Sequence, residues 1–586
     1  MPLGAVRVND GMVVRELGSA RVLTASAFLV AFLMLFGGLG ELSLAEPDEG
    51  RNAEVAREMW ASGAWLVPSF DGLPYLDKPA FFFRSVALSF SLLGQSEAAA
   101  RLPSALSGLA TLALLFAFCR RCYDETTAAL AVIVASTALL PFAFSRLVIM
   151  DAMLGSFVCA SIFAAFLAEE TAGRPRRLWY LASAAAAGFA TLVKGPVGFL
   201  IPGLVILVFN LVEARRGSRR GALRRCFAPL NVLLFLAIVL PWFLGLCARQ
   251  PDFFYYGLVE ESFHRFTTGS FHRTQPFWFY LPVVFAGLFP WSLLLPESAV
   301  VAGRRRAGWS AADRLFVVWT VVVVIFFSLS HSKLAGYVLT AVVALAALTA
   351  RVLALALEDP DSRAARILLR GAAAAALIFG LLAAALLLAS RRPDLFSSDE
   401  HWSGLAGSFP PVAAGLALSG VAALAAWLRR NPRLAVAALS LLPFVLLTAG
   451  LGTARTVVES RSTKQLSDHI GPLPTSVELA CLECFPESLP FYQQRAVVVV
   501  DRDGSPGALA SNYLLFRWRR QGLKSPVLVD SSRLDAWIGE RDRPVFLLGE
   551  GPVLERLRAV AARRGLSVAE LVPGWWGVLI PARRSH

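Results

Sequence analysis

Two short polar stretches follow the first apolar segment of the chain and contain the residues best suited to chemistry. Asp48 and Glu49 form an adjacent acidic pair with Arg51 close behind, and Asp77-Lys78 leads directly into a further apolar stretch. A carboxylate can orient a hydroxyl group or accept its proton, and a lysine or arginine can hold a phosphate. The sequence therefore predicts a polar site built from these side chains.

Three more charged residues interrupt apolar runs later in the chain, namely Asp151, Lys194 and Lys333. A charge in such a place is costly and is usually functional. A structural role is the alternative for each of them. Asp151 could cap the helix that follows it, and either lysine could pair with a buried carbonyl or acid.

The composition excludes an ordinary soluble protein. The chain has 586 residues, of which 56% are hydrophobic, and apolar runs of roughly 17–25 residues, the length that crosses a bilayer, recur up to about residue 450. The net charge of +14 comes largely from arginines in short loops between these runs, which is where cytoplasmic loops carry them. The basic excess therefore indicates topology and contact with anionic membrane lipids, and it does not indicate nucleic acid.

The arginine loops also predict the topology. Residues 1–21 form a cytoplasmic tail, the first span covers 22–40, and an external loop occupies 41–100. That loop holds an interfacial amphipathic helix between Asp48 and Ser62, and the apolar stretch 79–95 is expected to be re-entrant or interfacial, which keeps the later arginine loops inside. With the first, thirteen spans are predicted, the others near 101–120, 126–145, 151–169, 178–193, 196–213, 229–247, 278–297, 313–330, 336–356, 366–390, 410–428 and 433–451.

The remaining residues, 453–586, are more polar and predict a small external (periplasmic) α/β domain. Short apolar runs at 477–480, 496–500, 526–529 and 544–548 indicate strands, with helices near 505–520 and 551–564 between them. We expect an accessory role for this domain, because it contains no phosphate loop and no evident catalytic group. Cys481 and Cys484 form a C-x-x-C pair, interpreted as a local disulfide or two free thiols, with a redox or zinc role as the alternative.

The ordered set of polar motifs resembles a known group of membrane enzymes. The chain is similar to the lipid A aminoarabinose transferases, which belong with the protein O-mannosyltransferases in the GT-C class of polyprenyl-phosphate-sugar-dependent transferases. The similarity covers the membrane domain, 22–452, most strongly from about 20 to 350. Its positions are Asp48, Glu49, Arg51, Ala53, Glu54, Arg57, Glu58, Met59, Gly63, Trp65, Pro68, Tyr75, Lys78, Pro79, Arg101 to Ser104, Arg146 to Asp151, Lys194 to Pro196, Pro241, Trp242, Pro276 to Tyr280, Ser332 to Leu334 and Tyr337.

The resemblance implies a role for the residues at the donor phosphate. Lys78 and Arg51 would bind that phosphate, and Tyr337 would donate a hydrogen bond to it. Two alternatives remain open: Lys78 could be a snorkelling interfacial lysine, and Arg51 could pair with Glu54 or Glu58 on its own helix.

The resemblance also implies roles for the acids and for the pocket. Asp48 is the first candidate for the base or acceptor-orienting carboxylate, with Asp151 second and Glu49 as a supporting acid. The pocket candidates are Tyr75, Asp77, Lys194, His264 and Lys333.

No cofactor is predicted to be required, and the alternative is a divalent metal at Asp77 and His264. In the resembled enzymes the position matching Asp77 is an acid near a metal site. The histidine that usually follows a Val-Glu pair is replaced here by Ser262, and His264 stands two residues further on. This departure weakens the case for a metal.

The sequence thus predicts a multi-pass glycosyltransferase of a bacterial inner membrane. It would move a sugar from a polyprenyl (undecaprenyl) phosphate donor to a lipid, glycan or protein acceptor at the periplasmic face, by single displacement with an aspartate base. A transporter or flippase of lipid-linked sugars is the main alternative, although the internal repeats typical of transporters are not evident. An envelope scaffold protein is the other. The sequence identifies neither the sugar nor the acceptor.

Overall fold

The computed structural model is mostly helical, with one small mixed sheet near the C-terminus. It describes residues 10–219, 221–264, 275–304, 308–393, 405–509, 511–523 and 525–582. The chain folds into two compact units. The first, the bundle unit, comprises 1–39, 104–239 and 266–453, and the second, the loop–sheet unit, comprises 40–103, 240–265 and 454–586.

The helices before residue 310 include most of the predicted spans. They are Asp10–Phe36, Asp48–Ser62, Phe81–Leu93, Glu97–Cys122, Glu125–Thr137, Leu139–Phe144, Asp151–Glu169, Gly173–Lys194, Val197–Arg215, Ala222–Cys226, Pro229–Arg249, Phe253–Tyr255, Tyr280–Leu288 and Leu295–Arg304, with a π-helix at Tyr256–His264 and 3-10 turns at Phe277–Phe279 and Trp291–Leu294.

The helices after residue 310 are Ala311–Leu329, Leu339–Glu358, Arg363–Arg391, Phe409–Leu428, Pro432–Ser440, Leu442–Leu447, Gly450–Glu459, Lys464–Ile470, Leu489–Gln493, Asn512–Gln521, Leu534–Gly539 and Leu554–Ala562. Short 3-10 turns occupy Ala335–Val338, Pro506–Leu509, Ser531–Arg533 and Gly551–Val553.

The protein is a multi-pass membrane protein. In the part of the chain that the structure describes, eight helices are long and apolar enough to cross a membrane, or up to ten if each of two bent pairs is one span. A helix lies at each of the thirteen predicted spans, but several are short or less apolar, so the count of thirteen stays a prediction. Helix Phe81–Leu93 has 13 residues and rises only about 20 Å, less than the roughly 30 Å hydrocarbon core. It is thus too short to span the core, and its re-entrant or interfacial placement stays a prediction.

The core of the bundle unit is built from aromatic rings and alanine-rich helix faces. Phe118 stacks on Phe163 with ring centroids 4.2 Å apart, and buried Trp291 donates a hydrogen bond from its indole nitrogen to Thr137 Oγ1 at 2.9 Å. Small residues let helices approach closely where lipid supplies no hydrophobic drive between them. The packed helices make a frame from which polar side chains can be held at fixed positions.

The loop–sheet unit contains a six-stranded sheet in the order β5-β4-β3-β6-β8-β7. After a two-stranded ribbon, β1 (Ser69–Phe70) and β2 (Leu73–Pro74), the sheet strands are β3 (Glu478–Leu482), β4 (Val498–Asp501), β5 (Leu528–Asp530), β6 (Val545–Glu550), β7 (Ala569–Val572) and β8 (Trp575–Ile580). Strands β3 to β6 are parallel, with helices in the crossovers. They match the four predicted runs, whereas the antiparallel β7 and β8 were not predicted.

The unit also contains the first external loop, 40–103. Within it, the predicted helix is present at Asp48–Ser62 and ends on Gly63, whose φ of 69° is the left-handed conformation that favours glycine. We call this segment the loop helix. Ala53, Ala56 and Met59 are buried, as an amphipathic helix requires, and Trp60 is 38% exposed.

Candidate functional site

The first turn of the loop helix carries an ion cluster centred on Arg51. One terminal nitrogen of Arg51 pairs with Asp48, and the other lies 3.3 Å from the carboxylate of Glu487. The arginine side chain is 12% exposed and that of Asp48 is 55% exposed. The Nε of Arg51 is buried with no hydrogen-bond partner in the described ranges.

The predicted alternative for Arg51, a pair with Glu54 or Glu58, is wrong. Glu54 accepts both of its hydrogen bonds from Arg57 at 2.6 Å, and the carboxylate of Glu58 binds Ser69 and the amide of Gly72. Both acids are therefore bound to groups other than Arg51. The partners of Arg51 are one acid a turn earlier and one acid far along the chain.

Glu49, predicted as a supporting acid, is buried and fully engaged. Its two oxygens accept hydrogen bonds from Arg101 at 2.8 and 2.9 Å, and each side chain of this pair is 4% exposed. Arg101 also donates to the carbonyls of Leu42 and Ser43. A fully satisfied buried pair fixes backbone position, so the structure indicates that Glu49 anchors the start of the loop helix.

Lys78 stands at the entrance to helix Phe81–Leu93. Its ammonium pairs with Glu261 and donates to the carbonyl of Asp77 at 2.6 Å, and its side chain is 18% exposed. A freely snorkelling lysine would not be held by an acid from a distant segment. The open interpretation of Lys78 as an interfacial residue is therefore not favoured by its contacts.

Asp77 is occupied by donors of the protein itself. Its oxygens accept from the hydroxyl of Tyr256 at 2.6 Å and from the amides of Asn512 and Tyr513 at 2.9 and 2.8 Å. Those amides begin helix Asn512–Gln521, so Asp77 caps a helix of the C-terminal region. Burial raises the pKa of Asp77, as does the nearby charge of Glu261, while Lys78 and the hydrogen bonds lower it.

The surroundings of Asp77 bear on the predicted metal alternative. In the described residues no group of three or more histidine, cysteine, aspartate and glutamate side chains could hold a metal ion. Asp77 already accepts three hydrogen bonds, and the side chain of His264 lies outside the described residues. The metal alternative at Asp77 and His264 therefore stays a prediction.

Tyr75 interacts electrostatically with both the Arg51 cluster and the Lys78–Glu261 pair. The tyrosine is 3% exposed, and burial raises the pKa of its phenol. The Arg51 charge opposes that rise, and the carboxylates of Asp77, Glu487 and Glu261 add to it. The phenol therefore lies within the electrostatic reach of both groups. We call this set of electrostatically coupled residues of the loop–sheet unit the loop cluster.

The bundle unit holds a second group of polar residues, which we call the bundle cluster. Lys194 donates to Asp151 Oδ1 at 2.7 Å, and its ammonium lies 5.1 Å from the centroid of the Tyr337 ring. The side chains of Lys194 and Asp151 are 13% and 12% exposed. The capping alternative for Asp151 is wrong, because Met150 holds the N-cap position and the carboxylate pairs with Lys194 instead. The pairing alternative for Lys194 is the one observed.

Gly336 lies against the bundle cluster, and Lys333 binds the backbone of its own segment. A Cβ on Gly336 would lie 2.3 Å from Phe144 Cε1 and 2.7 Å from Asp151 Oδ1, so only glycine lets the carboxylate come this close to the backbone. Lys333 is buried, and its ammonium donates to the carbonyl of Ser330. Its interaction is thus with backbone, which is the structural alternative.

Four residues that matter here were not predicted as site residues: Arg101, Glu261, Gly336 and Glu487. Arg101 and Glu261 stood in segments noted for their motifs, but a motif names no partner. Glu487 belongs to the region expected to be accessory, and no local pattern marks it. The two cysteines of the C-x-x-C pair are free thiols, which is one of the two interpretations given above.

The long apolar helices make this a polytopic membrane protein, and comparison with known proteins shows that its fold is of the GT-C type. A family of dolichyl-phosphate-mannose-protein mannosyltransferases matches residues 77–244. The crystal structure of ArnT from Cupriavidus metallidurans bound to undecaprenyl phosphate superimposes with a TM-score of 0.76 at 25% identity, covering 98% of each chain.

The particular likeness is to the aminoarabinose transferases. The chain is 32% identical over 314 residues to the undecaprenyl phosphate-α-4-amino-4-deoxy-L-arabinose arabinosyl transferase of Edwardsiella ictaluri, covering 52% of this chain and 55% of the relative. It is 33% identical over 311 residues to a second such transferase from Sodalis glossinidius, covering 53% and 56%. The chain thus spans little more than half the length of the curated relatives it matches, and it resembles both these transferases and the protein mannosyltransferases.

Proposed function

We propose that this protein transfers a sugar from a polyprenyl phosphate donor to a lipid acceptor at the outer face of a bacterial inner membrane. One observation carries the proposal most directly: the loop cluster holds Arg51 with a buried Nε that has no partner in the described chain. A buried, unsatisfied guanidinium donor is costly unless a ligand completes it. The relatives named above act on undecaprenyl phosphate sugars, which would supply a phosphate for that position.

The cations of the loop cluster suit a phosphate leaving group. When the bond between the sugar and the phosphate breaks, negative charge grows on the phosphate oxygens, and preorganised cations stabilise it. Arg51 is held by Asp48 and Glu487, and Lys78 is held by Glu261. These pairs keep both cations in place before the donor arrives.

The chemical step that fits these residues is a single displacement. The acceptor oxygen forms a bond to the anomeric carbon as the bond from that carbon to the phosphate oxygen breaks, releasing the polyprenyl phosphate. Asp48 is the proposed base or orienting group, because its side chain is 55% exposed and its ion-pair partner in the described residues is Arg51. The proton of the acceptor hydroxyl would pass to Asp48, and the configuration at the anomeric carbon would invert.

Asp151, Lys194, Lys333 and Tyr337 remain proposed contributors to the pocket, and the Tyr337 hydroxyl is the proposed second donor to the phosphate. A glycan or a protein acceptor stays a further option beside a lipid one. The outward orientation of the C-terminal region is part of the proposal. We also propose that no metal is required. Metal analysis of the purified protein and an activity assay in the presence of a chelator would test this.

The first test is donor binding. The protein is purified in mild detergent, and lipids that co-purify or are added as undecaprenyl phosphate are identified by native mass spectrometry. We expect a bound polyprenyl phosphate in the wild type and at least a tenfold loss of it in Lys78→Ala. Lys464→Ala is the matched control, because Lys464 lies in the same unit and is also paired with a glutamate, Glu97, at 2.6 Å.

Two outcomes would count against the proposal. Absence of any polyprenyl lipid, even after undecaprenyl phosphate is added, would remove the donor class. Binding of the lipid-linked sugar without turnover, in protein that also moves it across vesicles, would favour the transporter alternative.

A further inference from the structure

A basic and aromatic surface of the loop–sheet unit has no part in the transfer reaction proposed above. It consists of Phe254, Tyr255 and the last turn of helix Asn512–Gln521, and we call it the arginine surface. Phe254 stands five residues after the end of the apolar helix Pro229–Arg249. Even a fully extended chain of this length would span at most about 18 Å, so the surface is tied to the end of that helix.

The end of helix Pro229–Arg249 marks the edge of the bilayer. The helix is long and apolar enough to cross a membrane, and the turn after it is compact, since the amide of Phe253 donates to the carbonyl of Gln250 at 3.0 Å. Lipid headgroups occupy roughly 5–8 Å on each side of the hydrocarbon core. Residues just past the end of the helix are therefore expected at the level of the headgroups.

Helix Asn512–Gln521 is held at this level by defined contacts. Arg517 lies 3.6 Å from the carboxylate of Asp252, and the ring of Phe516 stacks on that of Tyr255 with centroids 6.0 Å apart. The first of these contacts also pairs the acid that stands next to the surface. The helix thus brings its last turn to the end of the membrane-crossing helix, and the charge of Asp252 is already balanced.

The exposed part of the arginine surface is positively charged and aromatic. Arg519 and Arg520 lie in the last turn of the helix, are exposed, and have no ion-pair partner among the residues that the structure describes. The guanidinium of Arg520 lies 5.2 Å from the centroid of the Tyr255 ring. Phe254 and Tyr255 are 59% and 42% exposed. Basic residues beside exposed aromatic rings are typical of protein segments at the membrane interface.

We infer that the arginine surface binds the headgroup of an anionic phospholipid. Arg519 and Arg520 supply the positive charge that attracts the lipid phosphate, and Phe254 and Tyr255 lie among the adjoining lipid. A zwitterionic phospholipid fits less well, because its own ammonium balances the phosphate and is repelled by the two arginines. Each basic residue near an anionic bilayer strengthens binding roughly fivefold. Binding of this lipid requires neither the sugar donor nor the acceptor.

The test reads out the lipid at this surface alone. Full-length protein with photoreactive benzoylphenylalanine in place of Phe254 is reconstituted in nanodiscs of phosphatidylglycerol and phosphatidylcholine, mixed equally and with matched acyl chains. After irradiation, the lipid attached at that position is identified by mass spectrometry. We expect phosphatidylglycerol to exceed phosphatidylcholine at least about fivefold, and Arg519→Gln/Arg520→Gln to bring the ratio close to one. Arg502→Gln/Arg558→Gln, which removes two exposed arginines of the same unit, is the matched control and should leave the ratio unchanged.

Three results would overturn the inference. The first is equal attachment of the two lipids in protein with the native arginines, or an unchanged ratio in an Arg519→Gln/Arg520→Gln variant that melts at the same temperature. The second is attachment of no lipid at all, which would place the surface away from the bilayer. The third is loss of the preference in excess inorganic phosphate at constant ionic strength, which would indicate a site for free phosphate. Because transfer is not the readout, failure here and failure of the transferase proposal are distinguishable.

Discussion

The loop cluster and the bundle cluster both combine acids with cations, yet they are balanced differently. In the bundle cluster one acid and one lysine satisfy each other, with Asp151 and Lys194 2.7 Å apart and the carboxylate pressed against the backbone at Gly336. In the loop cluster Arg51 lies between two acids and still has a nitrogen that no described residue satisfies. Removal of one partner from a closed buried pair leaves an uncompensated charge, whereas a buried donor without a partner can be completed by a ligand. The difference is one reason for proposing the loop cluster, and not the bundle cluster, as the place of the chemistry.

The largest effect expected from this difference is on turnover. Asp48→Asn should lower kcat by about 10²–10⁴-fold, because an amide cannot accept the acceptor proton, while donor binding by native mass spectrometry stays near the wild-type level. Asp542→Asn, at an exposed acid in the same unit, should leave kcat unchanged. If Asp151→Asn abolished turnover while Asp48→Asn did not, the roles of the two clusters would have to be exchanged.

The next effect is on stability in the bundle cluster. Lys194→Met removes the partner of Asp151, whose side chain is 12% exposed, and leaves a nearly buried carboxylate uncompensated. We expect a loss of about 3–5 kcal/mol in the free energy of unfolding. The double variant Asp151→Asn/Lys194→Met should recover most of it. Reversible unfolding in detergent measures both, and a single-variant loss below about 1 kcal/mol would contradict a closed structural pair.

A smaller loss of stability is expected at Gly336. The added methyl group of Gly336→Ala would overlap Phe144 and the Asp151 carboxylate, and overpacking of this kind typically costs about 1–3 kcal/mol. Gly303→Ala is the matched control in the same unit, because a Cβ there meets nothing within 4 Å. Thermal unfolding of the two variants side by side would sharpen the contrast between the clusters, and equal midpoints would show that the close approach is not needed.

The smallest effect is a pH dependence from the loop cluster. Burial raises the pKa of Glu487 to about 8, against the lowering effect of Arg51. Since this carboxyl binds its proton more tightly when folded, its contribution to stability is full below its ordinary pKa and declines as the pH rises through about 8. In Glu487→Gln that component is absent, so stability should fall less steeply between pH 5 and about 8.

Burial also raises the pKa of Glu54 to about 8. The stability of Glu487→Gln should therefore still decline somewhat as the pH rises. Unfolding measured across this pH range tests the prediction. An identical slope in the wild type and Glu487→Gln would show that Glu487 is charged throughout.

Local patterns predicted the elements of this fold well and its pairings poorly. The loop helix, the short helix Phe81–Leu93 and strands β3 to β6 followed from spacing, turn residues and apolar runs. Strands β7 and β8 were not predicted, although the Gly574 turn between them was a signal, because residues of β7 are partly exposed and carry little apolar pattern. The partners of Arg51 and Lys78, Glu487 and Glu261, could not be predicted, since periodicity does not tell which distant segment packs against a helix.

The interlocking of the external loop with the C-terminal region has a consequence for how such a protein can change over generations. Asp77 caps helix Asn512–Gln521, Asp71 accepts a hydrogen bond from the amide of Val497 at 2.7 Å, and Gly50 lies flat against Ser488. If only the external loop or only the C-terminal region were exchanged with that of a relative, the buried carboxylates of Asp71 and Asp77 would lose their hydrogen-bond donors. Recombinants that keep their fold should therefore inherit residues 40–103 and 454–586 together, although more than three hundred residues of the sequence lie between these segments.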